Sequence, residues 1–178
     1  MKARGHAQGE SSAARAPCSG SAAIMLAFIT ICLLLLNLGS TAANFHMDFK
    51  GGLKPNTLLT MFIDIPENTP RFGIDLKQDE ANIVFQFDPR FDYNKKLYTI
   101  CNSMENNNWG HEIEYVDDFP FKTGKKYQID IVCQPDSYEV YVDGNYYLKF
   151  KSPMKPVDRV KYMEIWGAQT DYAQIRTI

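Results

Sequence analysis

From residue 44 to the end of the chain, apolar and polar side chains alternate in short runs. No stretch carries apolar residues at helical spacing over a useful length. The runs recur about every 8–12 residues and are separated by turn-forming residues. They predict strands at 58–65, 71–77, 82–91, 96–103, 111–116, 126–134, 138–143, 146–151 and 160–167. A last strand reaches Ile178, and a short one lies near Phe45 to Phe49. Asp143-Gly144 between two such runs is a strong hairpin signal. Pro55, Pro66, Pro70, Pro120, Pro135, Pro153 and Pro156 fall between runs, where a missing N–H costs little. Roughly eleven short strands of this kind predict an all-β fold, a two-sheet antiparallel jelly-roll sandwich.

Period two assigns the faces. In the 82–91 run, Ile83, Phe85 and Phe87 point one way, into the core. Val84, Gln86, Asp88 and Arg90 point outward. Tyr98, Ile100 and Asn102 share a face of the next run, and Glu112 and Glu114 share a face of 111–116. If these strands are neighbours, their polar sets form one patch. Trp109 lies in the Asn-rich stretch NNNWGH at its rim, where an exposed ring is costly unless it stacks on something. Trp166, within the apolar run YMEIWG, reads as core. A shallow polar groove with an aromatic platform suits a sugar, whose hydroxyls meet polar side chains and whose C–H face meets a ring. The plain alternative is an ordinary solvated sheet face with surface ion pairs.

The N-terminus differs in kind. Residues 1–20 are rich in Ala, Gly and Ser with Lys2, Arg4 and Arg15, and an uncharged apolar run then spans Ala22 to Leu38. Small residues follow around Thr41 and Ala43. This order predicts a secretory signal peptide over 1–43. A retained signal anchor is the other reading, although a helix of that run is about 25 Å long against a hydrocarbon core of about 30 Å. Both translocate the domain at 44–178, making it secreted or displayed at the cell surface. Cys18 and Cys32 belong to this leader. Cys101 and Cys133 fall on apolar phases and read first as buried thiols, second as a disulfide in an oxidising compartment.

A net charge of −2 gives no basic field for nucleic acid. His46 and His111 are isolated, and no Cys/His spacing matches a metal site. His111 sits on the apolar phase beside Glu112, as a strand residue would. No phosphate loop, nucleophile motif or cofactor fingerprint is present.

At several of these residues the chain resembles the galectins, a family of β-sandwich lectins. The resemblance covers most of 44–178: Gly-Gly-Leu at 51–53, RFGIDLK, FDPRF, Cys-Asn-Ser at 101–103, Trp-Gly-x-Glu at 109–112, FPF at 119–121 and VDGNYYLKF. The family's His-x-Asn-x-Arg reads Gln86-Phe87-Asp88-Pro89-Arg90 here. Arg90, Asn102, Trp109 and Glu112 match the sugar motif, while Gln86 and Asp88 replace its His and Asn, and Glu114 replaces an Arg. By resemblance, Trp109 stacks on a galactose, Arg90 and Glu112 share its ring hydroxyls, and Asn102 takes the exocyclic hydroxyl. Asp88, when ionised, lacks the N–H donor of Asn. The expected groove thus holds one Arg among Asp88, Glu112 and Glu114. Either Arg90 is held more tightly or one carboxylate takes up a proton more readily. Lactose affinity is expected to fall below that of a full motif.

Three functions follow as expectations. The first is a secreted lectin for β-galactosides or related glycans on glycoproteins or glycolipids, with no cofactor and a homodimer as one assembly. The second is a galectin-fold module that binds protein rather than sugar. The third is a glycosidase using Glu112 and Glu114, which would sit roughly 6–7 Å apart along a strand. That signal is weak, because Glu-x-Glu is common on exposed strand faces.

Overall fold

The computed structural model describes residues 44–93, 96–155 and 157–178. The predicted leader at 1–43 lies outside the described residues, and so do Cys18 and Cys32. The remainder is the expected all-β sandwich. In chain order the strands are β1 (Phe45–Asp48), β2 (Thr57–Ile65), β3 (Gly73–Asp79), β4 (Asn82–Tyr93), β5 (Lys96–Glu105) and β6 (Asn108–Trp109). They continue as β7 (Ile113–Tyr115), β8 (Lys125–Cys133), β9 (Ser137–Val142), β10 (Asn145–Lys151), β11 (Tyr162–Trp166) and β12 (Gln169–Thr177). One sheet runs β1-β11-β3-β4-β5-β6, with β7 also paired to β5. The other runs β10-β9-β8-β2-β12, and all pairings are antiparallel.

The core lies where the apolar phases of the two sheets meet. Leu59, Met61 and Ile63 of β2 and Ile129 and Ile131 of β8 face Ile74 and Leu76 of β3 and Met163 and Ile165 of β11. Aromatic rings fill the remainder: Phe85 stacks on Tyr138 at 4.7 Å, and Phe121 meets Phe72 edge-on at 5.3 Å. Cys101 and Cys133 are buried free thiols within it.

Turn chemistry closes the hairpins. Asp143 and Gly144 both have positive φ, 48° and 79°, as a two-residue type I′ turn requires. Asn106 and Asn107, at 52° and 63°, do the same between β5 and β6. That second hairpin is absent from the sequence-based prediction, so Trp109 stands on a short edge strand rather than in a loop.

Three expectations are overturned by local packing. Val84, expected to face outward, packs into the central core cluster, while Ile83 is buried beside that cluster rather than in it, because a bulge shifts the register on both sides of β4. The Val84 carbonyl also accepts a hydrogen bond from Ser152 Oγ at 2.9 Å. Trp166 is not core. It shares the outer phase of β11 with Tyr162 and Glu164, and lies over Gly73. A Cβ on Gly73 would stand 2.1 Å from the indole, so glycine is what lets the ring lie flat. His111 is exposed and precedes β7, which is shorter than the expected 111–116 strand.

Candidate functional site

The register brings candidate residues of β4, β5, β6 and β7 onto neighbouring strands. Across β4 and β5, Gln86 faces Asn102, Asp88 faces Ile100 and Arg90 faces Tyr98. Glu114 faces Ile100 from β7, and Trp109 faces Met104 from β6. Residues 110–112 bridge the gap between β6 and β7 along β5. Asn102 holds that bridge: its Oδ1 accepts from Ser103 N at 2.8 Å, and its Nδ2 donates to Gly110 O at 3.3 Å. A Cβ at Gly110 would come within 3.2 Å of Asn102 Oδ1, so the close approach favours glycine there.

The seven candidate residues separate into a floor and a rim. Gln86, Asp88 and Asn102 are buried, and the Asp88 side chain is wholly so. Arg90 is only slightly exposed. Trp109, half exposed at 50%, stands at the rim with Glu112 and Glu114. The groove is an open face of the sheet.

Asp88 organises the floor. Its Oδ2 accepts from Arg90 Nε at 2.8 Å and pairs with Arg90 Nη2 at 2.8 Å. Arg71 Nη2 reaches the same oxygen at 2.9 Å. Burial raises the Asp88 carboxyl above its ordinary range even though both guanidiniums pull it down. Asp88 Oδ1 has no protein partner. The Arg90 guanidinium is fixed from below, lies 5.8 Å over the Tyr98 ring and comes 3.9 Å from Glu112.

The expected single Arg among three carboxylates is therefore incorrect. Arg71 supplies a second guanidinium from the start of the β3 segment. Glu114 is neutralised by an ion pair with Lys96 instead of crowding Glu112. Period-two reading of RFGIDLK places Arg71 and Asp75 on the outer phase, the signal that would have found them. Their partners follow only from the register of β3 against β4 and β11.

Asp75 and Trp166 complete the floor on the β3 side. Trp166 Nε1 donates to Asp75 Oδ2 at 2.9 Å, and the Arg71 guanidinium lies 4.6 Å over the indole. Burial pushes the Asp75 carboxyl up to about 6, with hydrogen bonds from Trp166 and Gln86 acting in the opposite direction. The unpartnered buried side-chain atoms of the described residues are Arg71 Nε, Asp75 Oδ1 and Asp88 Oδ1, all in this cluster. Among the described residues, no group of three or more His, Cys, Asp and Glu side chains is placed to hold a metal.

Comparison with known proteins identifies the family and the fold. The family model described as galactoside-binding lectin matches residues 44–172. Rabbit (Oryctolagus cuniculus) galectin-3 is 30% identical over 129 residues, 72% of this chain and 52% of that protein. Human galectin-7 is 28% identical over 128 residues, 70% of this chain and 90% of that one. The chain thus spans about half the length of the galectin-3 relatives it matches. Among solved structures, Xenopus laevis galectin-Ib superposes with a TM-score of 0.68 at 30% identity, covering 75% of this chain and all of that one. The toad ovary galectin in complex with thio-digalactose has the same TM-score at 22% identity, covering 76% and 99%. Matched over most of the sandwich by the family model, the chain belongs to the galactoside-binding lectins, the galectin family.

Proposed function

We propose that this chain is a lectin for β-galactosides or related glycans, with a specificity altered from the common motif. One observation supports this most directly. Arg90 is held in place by buried Asp88, 3.9 Å from Glu112, in an open groove bounded by the half-exposed Trp109. Arg90 and Glu112 would share ring hydroxyls, Trp109 would stack on the C–H face, and Gln86 and Asn102 would fill polar contacts from the floor. We read the site as binding rather than catalytic. Glu114 is tied to Lys96, which leaves Glu112 without a second free carboxylate beside it.

Gln86 in place of His changes how the floor meets a hydroxyl. One hydrogen bond is worth about 1 kcal/mol net, or roughly fivefold in affinity. Gln86→His is expected to tighten lactose binding severalfold in calorimetry. Tight lactose binding by the unaltered chain, unchanged in that variant, would refute an altered specificity.

A second reading is a protein-interaction module without sugar binding. The observation that favours it is the self-satisfied floor, where Asn102 is bonded to Ser103 and Gly110, and Asp88 to both arginines. Under the lectin reading, the leader at 1–43 sends the domain at 44–178 out of the cell, either released or held at its surface. The partners are then glycoproteins and glycolipids. Self-association would raise weak single-site affinity through avidity.

A further inference from the structure

A second concavity of about 620 Å³ lies between β7, the segment after it and the β9–β10 hairpin. It shares Glu114 with the groove already described, but neither Trp109 nor Arg90 lines it. Its volume is within the usual range for a ligand pocket, about 300–1,000 Å³.

Its walls are tyrosine rings held in place. Tyr115 Oη donates to Lys149 O at 2.6 Å, Tyr147 Oη bonds Thr99 Oγ1 at 2.8 Å, and Tyr127 Oη accepts from Lys122 N at 2.9 Å. Rings fixed this way lose little entropy when something packs on them. Tyr146 stands at the mouth, 59% exposed.

The charged residues that line the concavity are all acidic, with Lys96, Lys122 and Lys149 next to its walls. Glu114, Asp117, Asp118 and Asp143 line the concavity, and no Lys or Arg does. Glu114 has Lys96 as its ion partner. Asp117 and Asp118 are exposed and form no ion pair among the described residues. Uncommitted carboxylates beside fixed aromatic faces form a receptor for a flat cation. A guanidinium stacks on the ring and donates in its own plane to the carboxylate. Nucleic acids, anionic glycans and acidic peptides are repelled by the same charges.

We propose that this tyrosine-walled groove docks a basic segment of a partner protein, with arginine as the residue it captures. The lectin would then hold a glycan on one face and a protein at the adjoining edge. The proposal does not depend on which glycan is bound.

The probe is a fluorescein-labelled (Gly-Arg)4 peptide, titrated with the full-length chain at 150 mM salt and read by anisotropy. Saturable binding is expected. Asp117→Asn with Asp118→Asn should weaken it about tenfold, and Tyr146→Ala about two- to fivefold. Asn tolerates the positive φ of 51° at position 118, and Tyr146 is at the surface, so the fold is kept. Trp109→Ala should leave peptide binding unchanged, and (Gly-Lys)4 should bind several times more weakly. Absence of saturable binding, or binding that survives the double Asn variant, would overturn the proposal. Equal binding of the lysine peptide would overturn the assignment to arginine. Loss of binding on Trp109→Ala would return the cation to the glycan groove. Self-association abolished by Tyr146→Ala, with no peptide binding, would assign the face to a second copy of this chain.

Discussion

Asp75 is the residue whose charge costs most in the floor of the groove. Its carboxyl, pushed up to about 6 by burial, holds a proton in the folded chain at pH values where the unfolded chain has released it. Between about pH 4 and 6 the folded state therefore binds more protons at this position. Its contribution makes the chain more stable as pH falls through 6 and levels off below about 4. Asp75→Asn removes that slope while keeping an acceptor for Trp166 Nε1. Urea midpoints measured from pH 4 to 8 should converge at low pH and separate above 6, with the variant the more stable by about 1–3 kcal/mol. A constant difference across that range would contradict the assignment. The floor residues Gln86, Asp88 and Asn102 were legible because they lie on one phase of two adjacent runs. The phase of Asp75 was legible too but its burial was not, because a carboxylate on an outer strand phase looks solvated until its cover is known. That cover is Trp166.

At the level of elements, β11 and β3 show what alternation conceals. The run YMEIWG is apolar enough that its Trp reads as core, yet strict period two puts Trp166 with Glu164 on the outer face. The partner across the ladder decides the matter: Gly73 leaves room for the ring on the sheet surface. Gly73→Ala would drive a Cβ into the indole and should cost about 1–3 kcal/mol in stability. Trp166 would lift, and Arg71 and Asp75 would lose the ring that packs on them. A lower melting temperature with a red-shifted Trp emission is the expected result, and unchanged emission would argue against this packing. The bulge at Val84 was invisible for a related reason. In Ile83-Val84-Phe85 every residue is apolar, so the pattern cannot say which one is extra. The β5–β6 hairpin could have been read from its two asparagines, a pair suited to positive φ at both central positions.

Over the whole molecule, the sandwich was legible because strand count, turn residues and face assignment all agree. The family resemblance rested on segments spread through both sheets. What the chain kept and what it changed then become a single description. Asp88 and Arg71 form a floor around a buried carboxylate, Lys96 neutralises Glu114, Arg90 is held at the floor's edge, and Glu112 and Trp109 stand in the open. The central claim is that this groove still binds sugar. A glycan array probed with the full-length chain, with Trp109→Ala beside it, tests that most directly. The expected result is binding to a defined set of galactosides or related glycans that the Trp109 change abolishes. Binding to no glycan, or glycan binding indifferent to Trp109, would contradict the claim.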